Sequence, residues 1–297
     1  MERKTTADFD PDLLILFDAY VHGHINRRGF LDRATKFAVG GVTAGMLLDS
    51  LNPKFAEAQQ VSPGDPRLRG ERVEYSSPTG SGTMKGYLVR PAKAAGKLPG
   101  VLVVHENRGL NPHIEDIARR VALDNFIAFA PDALTPLGGY PAGGEDEARP
   151  LFGKLDQPKT REDMVAGAQF LQKHAECTGR VGVVGFCWGG GIANFLATRL
   201  PDLGAAVPFY GSPPPAADVA NIRAPLMVHN ASTDTRIVAA MPAFEEALKA
   251  ANVRYTMYLY EGASHGFNND TTPRYDEKSA TLAWGRTIEF FNANLRK

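Results

Sequence analysis

Val181-Gly182-Val183-Val184-Gly185-Phe186-Cys187-Trp188-Gly189-Gly190-Gly191 is the stretch on which the fold turns. Its first half is short, apolar and rich in valine, as in a strand buried on both faces. A helix-compatible run, Gly189 to Thr198, follows. Between them Gly185-Phe186-Cys187-Trp188-Gly189 has the G-x-S-x-G spacing of a nucleophile elbow, with cysteine in the serine position. Side chains two positions either side of the nucleophile would collide in so sharp a turn, and both positions are glycine. The sulfur is left at a helix N-terminus, where unpaired N–H groups and the helix dipole favour an anion. A thiolate is the reactive form of cysteine, and such a setting lowers its pKa. A small buried thiol in a glycine-rich turn would look similar in isolation. Gly189-Gly190-Gly191 alone would also fit a phosphate loop, but no G-x-G-x-x-G or Walker lysine accompanies it.

Outward from this turn, strand-like and helix-like segments alternate. Val73–Ser76 and Lys85–Val89 read as an opening pair of strands around the Thr79-Gly80-Ser81-Gly82 turn. Val101–His105, Phe126–Ala130, Ala205–Tyr210, Leu226–His229 and Thr256–Tyr260 read as further strands. Ile114–Leu123, Glu162–His174 and a final segment from about Asp276 to Asn294 read as helices, and Leu134 to Pro158 as a long loop bordering a site. The alternation predicts an α/β-hydrolase fold: a mostly parallel central sheet with helices on both faces and ligands bound beyond the strands' C-terminal ends.

An elbow needs a base and an acid. His265, in Gly262-Ala263-Ser264-His265-Gly266-Phe267, follows the Tyr255–Tyr260 strand. His105, at the end of a strand, is its nearest competitor; the other histidines lack that context. Asp234 follows Leu226–His229 across a short polar loop, where a turn or helix-cap role is the plainer reading. The chain order Cys187, Asp234, His265 is the Ser, Asp, His order of the fold, and the ordered trio is far more specific than any member alone. The backbone N–H groups of Trp188 and Asn107 are expected to form the oxyanion hole. Glu106, directly after a buried strand, is not required by a triad; a surface carboxylate is its plain reading.

These residues resemble the dienelactone hydrolase (carboxymethylenebutenolidase) family. The likeness rests on His105-Glu106-Asn107-Arg108-Gly109-Leu110-Asn111, Pro131-Asp132, the cysteine elbow and Ser264-His265-Gly266-Phe267, and covers about residues 70–297. It implies a Cys187/Asp234/His265 triad that cleaves esters or lactones through an acyl-thioester, with no metal or organic cofactor. It further implies that Glu106 accepts a hydrogen bond from the resting thiol and is displaced by substrate. A carboxylate beside a thiolate does disfavour the charged sulfur. Family arginines that hold the substrate's carboxylate, after Pro-Asp and after the catalytic His, have no counterpart near Asp132 or His265. Arg108, Phe267 and Asn269 are therefore the candidate substrate contacts. A broader carboxylesterase or thioesterase is the rival reading; a non-catalytic binding or redox-responsive protein is a rival of another class.

Residues 1–60 read as a separate extension, followed by a Pro/Gly/Asp-rich linker at 61–70 and the hydrolase domain at 71–297. Asp10-Pro11 predicts a capped helix start, and Gly23 its end. Asn26-Arg27-Arg28-Gly29-Phe30-Leu31 resembles a twin-arginine export signal. A weakly apolar stretch, Phe37 to Leu48, and a small-x-small site at Ala56-Glu57-Ala58 complete the pattern, which implies a periplasmic location. The alternative is a pair of helices that stay docked on a cytoplasmic protein. The apolar run is too short for a membrane span. Lysine plus arginine and aspartate plus glutamate each number 33 in the 297 residues, so the basic excess of a nucleic-acid binder is absent. Two cysteines provide no disulfide framework.

Overall fold

The computed structural model describes residues 4–296. The chain opens with four helices, α1 (Pro11–Val21), α2 (Arg27–Ala34), α3 (Ala44–Leu51) and α4 (Phe55–Ala58). Asp10 caps α1 by accepting from the Asp12 N–H at 2.8 Å, and Pro11 stands where its missing N–H costs nothing. Phe9, Leu13, Phe17, Tyr20, Phe30, Leu48 and Leu51 close a small core of their own. The apolar stretch 37–48 is not one helix: Gly40 and Gly41, both with positive φ, break it before α3 begins.

The main domain continues as β1 (Leu68–Ser77), β2 (Gly82–Pro91), β3 (Leu98–Val104), α5 (Pro112–Leu123), β4 (Ile127–Pro131), α6 (Glu145–Phe152) and α7 (Gln157–Lys173). Then come β5 (Cys177–Phe186), α8 (Trp188–Arg199), β6 (Ala205–Phe209), β7 (Leu226–Ala231), α9 (Thr235–Ala250), β8 (Tyr255–Tyr260) and α10 (Glu277–Leu295). The eight strands form one sheet in the order β1-β2-β4-β3-β5-β6-β7-β8. β1 and β2 pair antiparallel, as do β2 and β4; every other pairing is parallel.

The period of two along β3 divides the core. Leu102 and Val104 face one way, into a cluster with Met164 and Leu171 of α7, Leu196 of α8 and Leu248 of α9. Val101 and Val103 face the other, with Ile114, Ile117 and Val121 of α5 and Phe291 of α10. Burial on both faces explains why β3 reads as an unbroken apolar run.

Two boundaries differ from the sequence reading. β1 starts at Leu68, inside the expected linker, because its antiparallel ladder runs from Leu68↔Pro91 to Ser77↔Gly82. Its first residues are exposed and polar, which hid the strand. The rest of the linker is pinned: Val61 N–H donates to Asp116 at 2.8 Å, and Arg119 Nε donates to the Val61 carbonyl at 2.8 Å. The expected loop 134–158 contains α6, which buries Ala148 and Phe152 although it holds Pro150.

The extension lies against the domain through several bonds. Lys54 N–H donates to the Thr271 carbonyl at 2.7 Å, and Tyr20 Oη to Asp146 at 2.8 Å. Asn107 Nδ2 donates to the Val21 carbonyl at 2.9 Å. Arg27, the first of the twin arginines, pairs with Asp146. No described helix is long and apolar enough to cross a membrane.

Candidate active site

The chemistry-bearing residues gather at the C-terminal ends of the parallel strands. Cys187 sits between β5 and α8 with φ 56° and ψ −111°, a backbone conformation that non-glycine residues rarely adopt. It is held there by its own N–H, which donates to the Phe209 carbonyl at 3.1 Å. A side chain at Gly189 would run into the Val104 and His105 carbonyls, and one at Gly185 into the Gly189 carbonyl. The elbow's two glycines are thus required by close backbone approach.

Asp234 and His265 meet: Nδ1 of His265 lies 2.5 Å from Oδ2 of Asp234. The other carboxylate oxygen of Asp234 caps α9, accepting from the Ile237 N–H at 3.3 Å. The capping role and the histidine contact thus use different oxygens of one carboxylate. With Nδ1 occupied, Nε2 of His265 is buried without a hydrogen-bond partner among the described residues. The ligating atoms of His265, Cys187 and His22 all lie within 4.8 Å of one another.

Burial works against a charged sulfur, but the imidazoles of His265 and His22 outweigh it and bring the Cys187 thiol down to about 6. Burial likewise opposes a charged His265. The thiolate and Asp234 outweigh it, raising His265 to about 9. The two shifts run in the same sense, each group favouring the charged form of the other.

His22 enters this site from the extension. It follows α1, and its Nε2 is 3.9 Å from Sγ of Cys187. Its Nδ1 lies 2.9 Å from the Asp18 carbonyl and 3.1 Å from the Asp18 carboxylate. Its ring meets that of His265 edge-on, with centroids 4.7 Å apart. Burial disfavours its charge, yet Asp18 and the thiolate raise it to about 10. The sequence reading set His22 aside as one of the histidines without context. One signal was present: Asp18 and His22 stand four apart on a helix, a spacing that brings side chains together.

The residues near Glu106 take other roles than expected. Glu106 is buried, with Arg108 3.6 Å away and Asn269 Nδ2 donating to it at 3.2 Å. Burial opposes its charge, but Arg108 and other nearby cations hold its carboxyl below the usual range. The side-chain contact recorded for the Cys187 sulfur is with His22, whereas the recorded partners of the Glu106 carboxylate are Arg108 and Asn269. Arg108 is 1% exposed and also paired with Glu145 at 2.8 Å, so its charge is spent beneath the site and not offered to substrate. Phe267 is wholly buried among Tyr260, Tyr210 and Phe209, and is a core residue. Asn269 is buried, accepting from Thr271 while it holds Glu106. His105, the competing base, has Nδ1 on the Glu106 carbonyl and Nε2 accepting from the Ala133 N–H at 3.1 Å; both nitrogens are taken. Asp132 of the Pro-Asp pair accepts from the Leu110, Leu134 and Tyr140 N–H groups, which organises the loop beside the site.

Cys187, Asn107 and Trp188 open together onto a cavity of about 500 Å³, also lined by His22, Phe195, Arg161 and Arg236. The two expected oxyanion donors thus lie on the same cavity as the sulfur, with Trp188 the first residue of α8. Neither Arg161 nor Arg236 stood out in the sequence: Arg161 lies within α7 far from the motifs, and Arg236, two residues after Asp234, reads as an ordinary helix residue. Cys187, His22 and His265 also form the one cluster among the described residues whose donors could hold a metal ion. In each histidine the other nitrogen is braced by a carboxylate.

A dienelactone hydrolase family model matches residues 84–295. The chain belongs to the dienelactone hydrolase family. A second model, YqhI-like, matches residues 1–39 of this dienelactone hydrolase family member. A Salmonella typhi protein named "Putative carboxymethylenebutenolidase" is 34% identical over 230 residues, covering 73% of this chain and 85% of that protein. A Bradyrhizobium protein named "Probable 2-oxo-3-(5-oxofuran-2-ylidene)propanoate lactonase" is 30% identical over 222 residues, 70% of this chain and 89% of that one. A crystal structure titled as a putative dienelactone hydrolase from Klebsiella pneumoniae superposes with a TM-score of 0.65 at 30% identity, covering 75% of this chain and 98% of that one. This family member is a hydrolase with an α/β-hydrolase fold.

Proposed function

We propose that the protein cleaves a small ester or lactone, the chemistry its relatives' names imply for them, and that it does so through a covalent acyl-thioester on Cys187. The observation that carries this is the Asp234–His265 contact of 2.5 Å, with His265 and the elbow sulfur in one cluster. The thiolate, paired with the His265 imidazolium, attacks the carbonyl carbon. The Asn107 and Trp188 N–H groups receive the oxyanion. Collapse expels the alcohol, and water activated by His265 then hydrolyses the thioester. Arg161 and Arg236 are the cations we assign to an acidic group on the substrate, in place of Arg108. The broader carboxylesterase or thioesterase reading is favoured by one observation, the burial of Arg108 against Glu106 and Glu145. Matched acidic and neutral esters separate the two.

The test is turnover against pH, combined with mass spectrometry of quenched enzyme. Below about 6 the sulfur takes up its proton and the nucleophile is lost. Above about 9 His265 gives up the proton that pairs with the sulfur. Turnover is therefore expected to be bell-shaped, with limbs near these values and an acyl adduct on Cys187. A flat profile, or an adduct on another residue, overturns the mechanism.

We further propose that the extension stays with the domain, in preference to the export reading of Arg27-Arg28. Its support is the set of bonds that fasten it and the entry of His22 into the site. The mass of the protein purified from its native host is expected to include residues 1–58. A mature chain beginning at Gln59 would restore export.

A further inference from the structure

The extension contributes more than a docked surface, because it places an imidazole against the nucleophile. The Asp18–His22 arrangement repeats the logic of Asp234–His265. A carboxylate occupies Nδ1, so Nε2 is turned toward the sulfur. Arg274 lies 3.4 Å from Asp18 and holds that carboxylate in turn. The two imidazoles are not equivalent in access. His22 lines the cavity with Cys187, whereas His265 is buried and outside the lining. Cys187 still lines that cavity beside His22, so His22 flanks the nucleophile and does not close the cavity over it.

We propose that His22, positioned by Asp18, is a second catalytic imidazole that protonates the leaving group of the substrate. This rests on the reading of Cys187 as the nucleophile. In acylation the thiolate forms a C–S bond and the C–O bond to the leaving group breaks. The alkoxide takes the Nε2 proton of His22 and departs as an alcohol. Sulfur is then no longer an anion, and the His265 proton passes to His22, the two ring centroids being 4.7 Å apart. Water adds to the thioester carbonyl and passes a proton to His265. The C–S bond breaks and returns the thiolate, and the net change is ester plus water to acid plus alcohol. A single imidazole would have to face the leaving oxygen and the incoming water in turn. Two imidazoles within reach of one sulfur divide these tasks.

The test compares two esters with the same acyl group, a nitrophenyl ester and an ethyl ester, in the full chain. Nitrophenolate leaves without a proton; ethoxide does not. His22→Gln and His22→Ala are expected to cut ethyl-ester turnover by about 10²–10⁴-fold and nitrophenyl-ester turnover by less than about tenfold. Asp18→Asn is expected to show the same selective loss, more weakly. Equal losses on both esters, with an unchanged melting temperature, would mean that His22 only supports the site. An unchanged or faster ethyl-ester rate would mean that it does nothing or acts as a plug. Either result overturns the inference while leaving the Cys187 reading in place, provided the nitrophenyl ester still acylates Cys187. Absence of that adduct in the unmodified protein would instead remove the thiol mechanism itself.

Discussion

Cys187→Ala is expected to lower turnover of a small activated ester by at least about 10⁴-fold, to a residue set by binding and the oxyanion donors alone. The size follows from the absence of a substitute. Cys177, the other cysteine, opens β5 at the far end of the strand, and burial pushes its thiol up. No second thiol therefore stands at the elbow. The same variant has a second readout. The thiolate raises both His265 and His22, so its removal brings the two imidazoles toward their ordinary range. Proton titration of the histidines by NMR is expected to show both shifts moving down together. A variant that keeps its turnover, or imidazoles that do not move, would mean that sulfur is not the anion at the centre of this site.

Why the central site was legible and its surroundings were not follows from how each is specified. The elbow is local: Gly185, Cys187 and Gly189 are fixed by a turn that their own spacing defines. Asp234 and His265 are readable because a doubly wound sheet places strand ends on one edge, so chain order becomes spatial order. The strands that failed were those whose pairing, not composition, makes them strands, as in the polar first half of β1. Arg108, Phe267 and Asn269 were misplaced for a different reason. Sequence gives their distance along the chain from a motif but not the side to which they turn, and all three turn inward. Glu106 belongs to the same inward cluster, with Arg108 and Asn269 as its partners. His22 was hidden by its context. A twin arginine five residues on invited a reading of the whole segment as an address, although Asp18 and His22 already had the spacing of a helical pair.

The second large effect concerns Asp234, whose two oxygens carry separate tasks. Asp234→Asn is expected to keep the helix cap, because asparagine caps as well as aspartate does. It removes the charge facing His265. Turnover is expected to fall by about 10²–10⁴-fold, as the imidazole loses both its fixed tautomer and part of the reason for holding a proton. Stability should change far less, by about 1 kcal/mol in urea unfolding, because His265 can deprotonate in place of remaining a buried unpaired cation. The pH profile supplies the sign. Asp234 helps to raise His265, and the His265 imidazolium lowers Cys187. Without the carboxylate the alkaline limb moves down and the acid limb moves up, so the bell narrows from both sides. Asp234→Ala removes the cap as well and is expected to add a loss of stability of about 1 kcal/mol to the same loss of turnover. If Asp234→Asn instead unfolded the protein as readily as Asp234→Ala while keeping its rate, the carboxylate would be a cap alone, and the plain turn-residue reading of Asp234 would hold.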